Sequence, residues 1–333
     1  MANLSAAWTA RFRVPFIRIP QVAGDAPERG LVISNVSETF QLHAWDVPSG
    51  RLRRLTSRPT GTAAGVLAPD GRFVYYHDDA DGNELGHFVR VPFDGGTPET
   101  ITPGLAPYPT FGLSVSGSGN RLGFVTADAD GYHLHVVDVR ADGALGPPRR
   151  IHSRSRLLDG PVFSYDGTIA VLAAAPEGGC LRYELVALQT ADGRILSELA
   201  DVDGRLGPAA FAPVAGDARL LGQSNRSGAN RPLIWDVARD TRIDIALDEL
   251  DGDVLPADWS PDGRRLLLVQ LDRAVHRLYV YDVQSAALTP LRHPAGTYGQ
   301  VYFAPEPART ARSTSRPTAR STPSGRIRPN RRR

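Results

Sequence analysis

Asp258-Trp259-Ser260-Pro261-Asp262-Gly263-Arg264-Arg265-Leu266-Leu267-Leu268 sets a tight turn directly before an apolar run. Proline presets φ at the second position of such a turn, and glycine accepts the positive φ that aspartate only tolerates. Leu278-Tyr279-Val280-Tyr281-Asp282-Val283 follows as a second short apolar run. Two short runs of this kind, bounded by turn residues, read as paired strands.

The same unit recurs along the chain. Pro69-Asp70-Gly71 precedes Phe73-Val74-Tyr75-Tyr76, and Ser116-Gly117-Ser118-Gly119-Asn120 occupies the same place one unit later. Ser164-Tyr165-Asp166-Gly167 precedes Ile169-Ala170-Val171-Leu172, and Pro213-Val214-Ala215-Gly216-Asp217 serves the unit after that. Aspartates close the third strand at 46, 94, 138, 236 and 282, and the long gap spans two units, which gives a period of about 44–49 residues. Before the first such turn, Phe12 to Ile19, Leu31 to Ser34, Leu42 to Val47 and Arg51 to Thr56 read as four strands. Four strands per unit at this period is the pattern of a propeller blade, which buries its faces only by stacking on its neighbours. An α/β fold needs helical crossovers, and no segment has a helical period of sufficient length. The fold class expected is all-β, a β-propeller of six four-stranded blades plus the start of a seventh. Blades begin near residues 13, 63, 109, 160, 208, 255 and 299. The propeller occupies 1–306, and its seventh unit opens at Val301-Tyr302-Phe303-Ala304-Pro305-Glu306.

Composition supports a turn-rich globular body, with 33 Gly, 27 Pro and 41% hydrophobic residues. All 38 basic residues are arginine, and nine of them lie in 307–333, where there is no acid. Residues 1–306 therefore carry 29 arginines against 36 acids, which argues against a nucleic-acid-binding face on the body. The segment 307–333 is Arg, Ser, Thr, Pro and Ala with Ile327 as its one larger aliphatic residue, and disorder is expected there. Its composition, and the break inside a blade motif, fit the product of a displaced reading frame. Cys180 is the sole cysteine, so neither an internal disulfide nor a cysteine-based zinc site can form. Met1 to Pro20 has no signal-peptide apolar region and no later run is long enough to span a membrane, so a cytoplasmic protein without membrane partners is expected.

Several stretches resemble the propeller of the prolyl oligopeptidase family of serine peptidases, in its dipeptidyl aminopeptidase/acylaminoacyl peptidase branch. They are Tyr75-Tyr76-His77-Asp78-Asp79-Ala80-Asp81-Gly82-Asn83-Glu84 with Phe93-Asp94-Gly95-Gly96, then Ser224 to Asp236, and the sixth unit. The likeness covers roughly residues 30–306. It implies a propeller that gates peptide access to an α/β-hydrolase domain holding the catalytic Ser, Asp and His. No Gly-x-Ser-x-Gly nucleophile motif occurs; Gly112-Leu113-Ser114-Val115-Ser116 fails at its last position. The expectation is a non-catalytic gating portion, cut off before its hydrolase domain, with peptide substrates reached through that domain. The alternative is a free-standing TolB- or WD-like propeller that binds a protein or peptide partner. A propeller lyase or glycosidase ranks third.

No catalytic, cofactor-binding or metal-ligating residue is assigned, and no cofactor is expected. Gly117, Gly119 and Gly123 miss the spacing of a dinucleotide loop and read as a hairpin turn. Asp79, Asp81, Asn83 and Glu84 cluster oxygen ligands, but Gly82 precedes Asn83 against the calcium-loop order, so a solvated hairpin is expected. His133 and His135 share a strand face without an identifiable third ligand, and read as surface or stacking histidines. In Trp45-Asp46 and Trp235-Asp236 the aromatic is expected between blades and the aspartate on the following turn; Trp259 is expected in the core.

Overall fold

The computed structural model describes residues 14–79, 82–176 and 182–305. Among them there is no helix, and the strands form six four-stranded antiparallel sheets arranged as a β-propeller. Blade one is Ile17–Val22, Arg29–Ser37, Thr39–Asp46 and Arg51–Arg54; blade two is Val66–Leu67, Phe73–Asp78, His87–Pro92 and Glu99–Thr100. Blade three is Thr110–Val115, Arg121–Asp128, Gly131–Asp138 and Arg149–Arg154. Blade four is Leu158–Phe163, Ile169–Ala174, Glu184–Gln189 and Ile195–Leu199. Blade five is Leu206–Phe211, Arg219–Ser224, Arg231–Asp236 and Thr241–Asp244; blade six is Asp253–Trp259, Arg265–Asp272, Val275–Asp282 and Leu288–Pro290.

The turn chemistry accounts for the repeat. Gly263 takes φ 66° and its N–H bonds to the Ser260 carbonyl at 2.8 Å. The Ser260 hydroxyl donates to Asp262 at 2.5 Å and accepts from the Arg265 backbone N–H at 2.9 Å, so two side chains and one main-chain group lock the turn. Gly71, Gly119 and Gly167 repeat the glycine's part with φ 68–73° and a bond three residues back. The aspartates that end third strands hold the next turn: Asp46 accepts from Ser49 N–H, Asp236 from Ala238 and Arg239, and Asp282 from Gln284 and Ser285.

In blades two to five both faces of the middle strands are buried, because each of these blades has a neighbour on either side. In blade four Ala170, Leu172 and Ala174 point to blade three, where they meet Val125, Leu134 and Val136. Val171 and Ala173 point the other way, onto Leu220, Leu233 and Trp235 of blade five. This alternation is the period of two expected of a strand, with both phases apolar. Equivalent clusters join blades one to two, two to three and five to six. Among the described residues no such cluster joins blade six to blade one.

The first strands lie innermost and are irregular. Their pairing with the second strand slips at Arg18/Gln21 in blade one, Asp159/Val162 in blade four, Pro208/Ala210 in blade five and Pro256/Asp258 in blade six. A bulge adds twist where strands must crowd around the axis. Gly112 of blade three is needed at this crowding: its φ is 127°, and an added Cβ would sit 2.1 Å from the Gly160 carbonyl oxygen.

Two boundaries differ from expectation. Among the described residues the first strand runs Ile17–Val22, past the expected end at Ile19, because Arg29 N–H bonds to Ala26 O and Ala23 N–H to Arg29 O, a tight return that lets pairing extend to Val22; the expected start at Phe12 lies outside the described residues. The seventh unit forms no strand in the described residues up to 305. Instead the Phe303 N–H bonds to the Asp258 carboxylate at 2.8 Å. Residues 307–333, and Cys180, lie outside the described residues.

Candidate functional site

A cleft of 780 Å³ opens where blades one, two and three present their connectors. Glu38, Thr39 and Phe40 come from the hairpin of blade one, and Thr60 to Ala64 from the link into blade two. His77, Asp79, Gly82 and Glu84 belong to the hairpin of blade two, and Pro109 to Phe111 open blade three.

Its walls are fixed by short-range bonds. Gln41, 2% exposed, donates to the Arg58 carbonyl at 2.6 Å and accepts from the Arg58 N–H at 3.2 Å, which ties the interblade link to blade one. The Arg58 guanidinium then forks onto Asp78 of blade two, with Nε 2.7 Å from Oδ1. Bidentate arginine–carboxylate pairs fix orientation as well as distance. Asp79 accepts from the backbone N–H groups of Gly82, Asn83 and Glu84 at 2.8, 3.2 and 2.6 Å. Its carboxylate therefore organises the loop. Asp81 lies outside the described residues, and among those described no group of three or more His, Cys, Asp or Glu could hold a metal.

Two glutamates are left at the rim. Glu38 and Glu84 are exposed non-glycine residues with φ 79° and 65°. Such backbone costs on the order of 1–3 kcal/mol each and persists only where neighbours enforce it. The Asn35 carbonyl bonds the Glu38 N–H, and Asp79 bonds that of Glu84. Neither side chain makes an ion pair among the described residues. Phe40 and Phe111 supply aromatic wall, and the Arg18 guanidinium stacks over the Phe40 ring at 4.9 Å. His77 bonds the Tyr108 carbonyl through Nε2 at 3.0 Å, and burial lowers its pKa, so it stands there as a neutral donor.

The other sequence candidates fall elsewhere. Ser114 donates to the Pro161 carbonyl at 2.7 Å and ties the first strands of blades three and four. Gly117 and Gly123 press on Tyr165 and Phe163 of blade four. His133 and His135 share a face as expected, but they are buried rather than on the surface, at 3% and 6% exposure. His133 bonds Asp128 at 2.8 Å and Ser153 at 2.9 Å; His135 stacks on Phe124 at 5.3 Å and 9°. Trp235 sits between blades four and five and Trp259 between five and six. Glu38 was not legible as a site residue, since Ser37-Glu38-Thr39 has neither the Gly nor the Pro that marks the other turns.

No family model matches the chain. Among curated proteins it is 33% identical over 104 residues to the uncharacterized protein Atu1656 of Agrobacterium fabrum, covering 31% of this chain and 34% of that one. It is 28% identical over 220 residues to the Tol-Pal system protein TolB of Nitratidesulfovibrio vulgaris, covering 60% and 49%. The chain thus spans half or less of the length of these curated relatives. A prolyl endopeptidase structure superposes with a TM-score of 0.61 at 16% identity over 88% of this chain and 44% of that one. An oligogalacturonate lyase in complex with manganese superposes at 0.60 and 13% identity, over 82% and 76%. The chain has the propeller fold that these proteins share. At such identities the fold is what the likeness carries.

Proposed function

We propose that this chain is a non-catalytic propeller that receives an extended peptide in the cleft of blades one to three, as the gating unit of a prolyl oligopeptidase-like peptidase would. The observation that carries this reading is the pairing of two rim carboxylates, Glu38 and Glu84, with the rings of Phe40 and Phe111 in one cleft. Carboxylates held on strained backbone suit a cationic group, and the rings suit an apolar neighbour on the same peptide. The lack of a Gly-x-Ser-x-Gly motif, and the engagement of Ser114 with a carbonyl, support a role without covalent chemistry.

The test is fluorescence polarisation with short peptides that pair a basic with an aromatic residue. Glu38→Gln and Glu84→Gln are each expected to weaken binding by about fivefold at low salt, and less at high salt. Peptide or ester hydrolysis should stay at blank. Binding indifferent to both substitutions, or robust turnover, would overturn the reading. The sequence likeness to TolB favours a second one, a scaffold for a protein partner. It gains if folded proteins bind the same cleft and unfolded peptides do not.

A further inference from the structure

A second cavity, of 380 Å³, lies between the outer parts of blades two and three. Its volume falls at the small end of ligand sites, about 300–1,000 Å³. Pro103, Leu105 and Pro148 make its walls apolar, and Thr102, His135 and Arg150 bring polar atoms to it. We infer that this cavity binds a small organic monocarboxylate, with the carboxylate between Arg150 and His135 and the apolar body against Pro103, Leu105 and Pro148.

The argument begins with His135. Its ring is 6% exposed and stacked on Phe124, and one nitrogen, Nε2, meets the Thr126 hydroxyl at 3.2 Å. The other, Nδ1, has no partner among the described residues, and the ring lines the cavity. Nδ1 opens onto the cavity, so a ligand that accepts a hydrogen bond there takes the place of water. Burial lowers the His135 pKa to about 4, so the ring is neutral near pH 7. In the tautomer whose Nε2 accepts from the Thr126 hydroxyl, Nδ1 carries the proton and donates to the ligand.

Arg150 supplies the charge. It sits opposite His135 in the strand register, is exposed, and makes no ion pair among the described residues. Its neighbours differ: Arg149 reaches Asp138 and the carbonyls of Thr190 and Ala191, and Arg154 is held by Glu184 and Glu198. A single uncompensated guanidinium beside a neutral donor matches one negative charge. A phosphate dianion would need a second cation, and the walls offer proline and leucine. Thr102 is already engaged, its hydroxyl 2.7 Å from that of Tyr108, so it shapes the floor and leaves the ligand to the other two groups.

Isothermal titration of the full chain with benzoate near pH 7 tests the assignment, with benzyl alcohol and inorganic phosphate as comparators. Benzoate should bind saturably at one site per chain, and the comparators much more weakly. Arg150→Gln, at an exposed position, should weaken benzoate by about tenfold. His135→Phe keeps the stack on Phe124 and should weaken it severalfold, and benzoate should shift the His135 ring nitrogens in the nitrogen-15 spectrum of the native chain. No saturable heat at tens of millimolar, equal binding of phosphate, or unchanged affinity in Arg150→Gln would each overturn the proposal. If His135→Phe does not fold, Arg150→Gln and the ring spectrum still decide it.

Discussion

The seam between blades four and five and the leading edge of blade six are built from opposite materials. At the seam, Val171, Ala173, Leu185 and Ala187 meet Leu206, Leu220, Leu233 and Trp235, nearly all at 0% exposure. At the edge of blade six, the segment 301–305 is held through a carboxylate, Asp258, which accepts from the Phe303 N–H at 2.8 Å and from its neighbour Trp259 at 2.8 Å. An apolar seam gains about 25 cal/mol for each Å² removed from water and leaves few side-chain polar atoms to satisfy. A half-buried carboxylate loses hydration and recovers only part of it from two N–H groups. The propeller is therefore cemented from within and latched at its last edge, and the two should fail under different stresses.

The largest effect should come from breaking the cement. Trp235 is fully buried, and its indole N–H reaches Asp240 at 3.4 Å. Trp235→Ala leaves a cavity between two blades and is expected to cost about 3–5 kcal/mol in urea unfolding. A loss below about 1 kcal/mol would mean that blades four and five can collapse onto each other, contrary to the interdigitation described.

How much of this was legible beforehand follows from range. The turns at Ser164–Gly167 and Ser260–Gly263 are local, set by residues within five of one another, and so they mark each blade in the sequence. Trp235 and Trp259 could be assigned to the core because an apolar strand with two neighbours has no solvent face. The cleft was only half visible. The Asp79–Glu84 loop stands out by composition, whereas Glu38 joins it through a fold-back that no local residue announces. His133 and His135 were read correctly as sharing a face and, for His135, as stacking. Their burial was not legible, since the groups that satisfy them, Asp128, Ser153 and Thr126, lie on other strands or in a turn. Asp258 gains its role only through a contact 45 positions away, which no local pattern encodes.

That contact yields the intermediate effect, and it depends on pH. Burial pushes the Asp258 carboxyl up to about 6, from the ordinary carboxylate value of 3.8. The folded chain thus holds this proton more tightly than the unfolded chain does. The contribution to stability is complete below about pH 4 and is lost as pH rises through about 6, by roughly 1–3 kcal/mol. Asp258→Asn removes the charge and keeps one acceptor oxygen. Its stability relative to the native chain should therefore grow between pH 4 and 7 in chemical denaturation. Parallel curves for the two proteins across that range would show that the carboxylate is hydrated in the fold, and that the latch carries no penalty.

The smallest effect on stability should come from the opposite side, at the start of blade one. Phe16 and Ile17 are 57% and 53% exposed, and Ile19 beside them is 41% exposed. Side chains this open contribute little to folding, and serine at 16 and 17 should change stability by no more than about 0.5 kcal/mol. Contiguous exposed apolar residues do promote contact between molecules. The double variant Phe16→Ser/Ile17→Ser is accordingly expected to lower the mass seen by light scattering at high concentration while the urea midpoint stays in place. A large fall in the midpoint would instead mean that these residues pack in solution, and that blade one is sealed as firmly as the seam between blades four and five. An unchanged mass would move the sticky surface to blade six, where Leu271 and Val275 are also partly open.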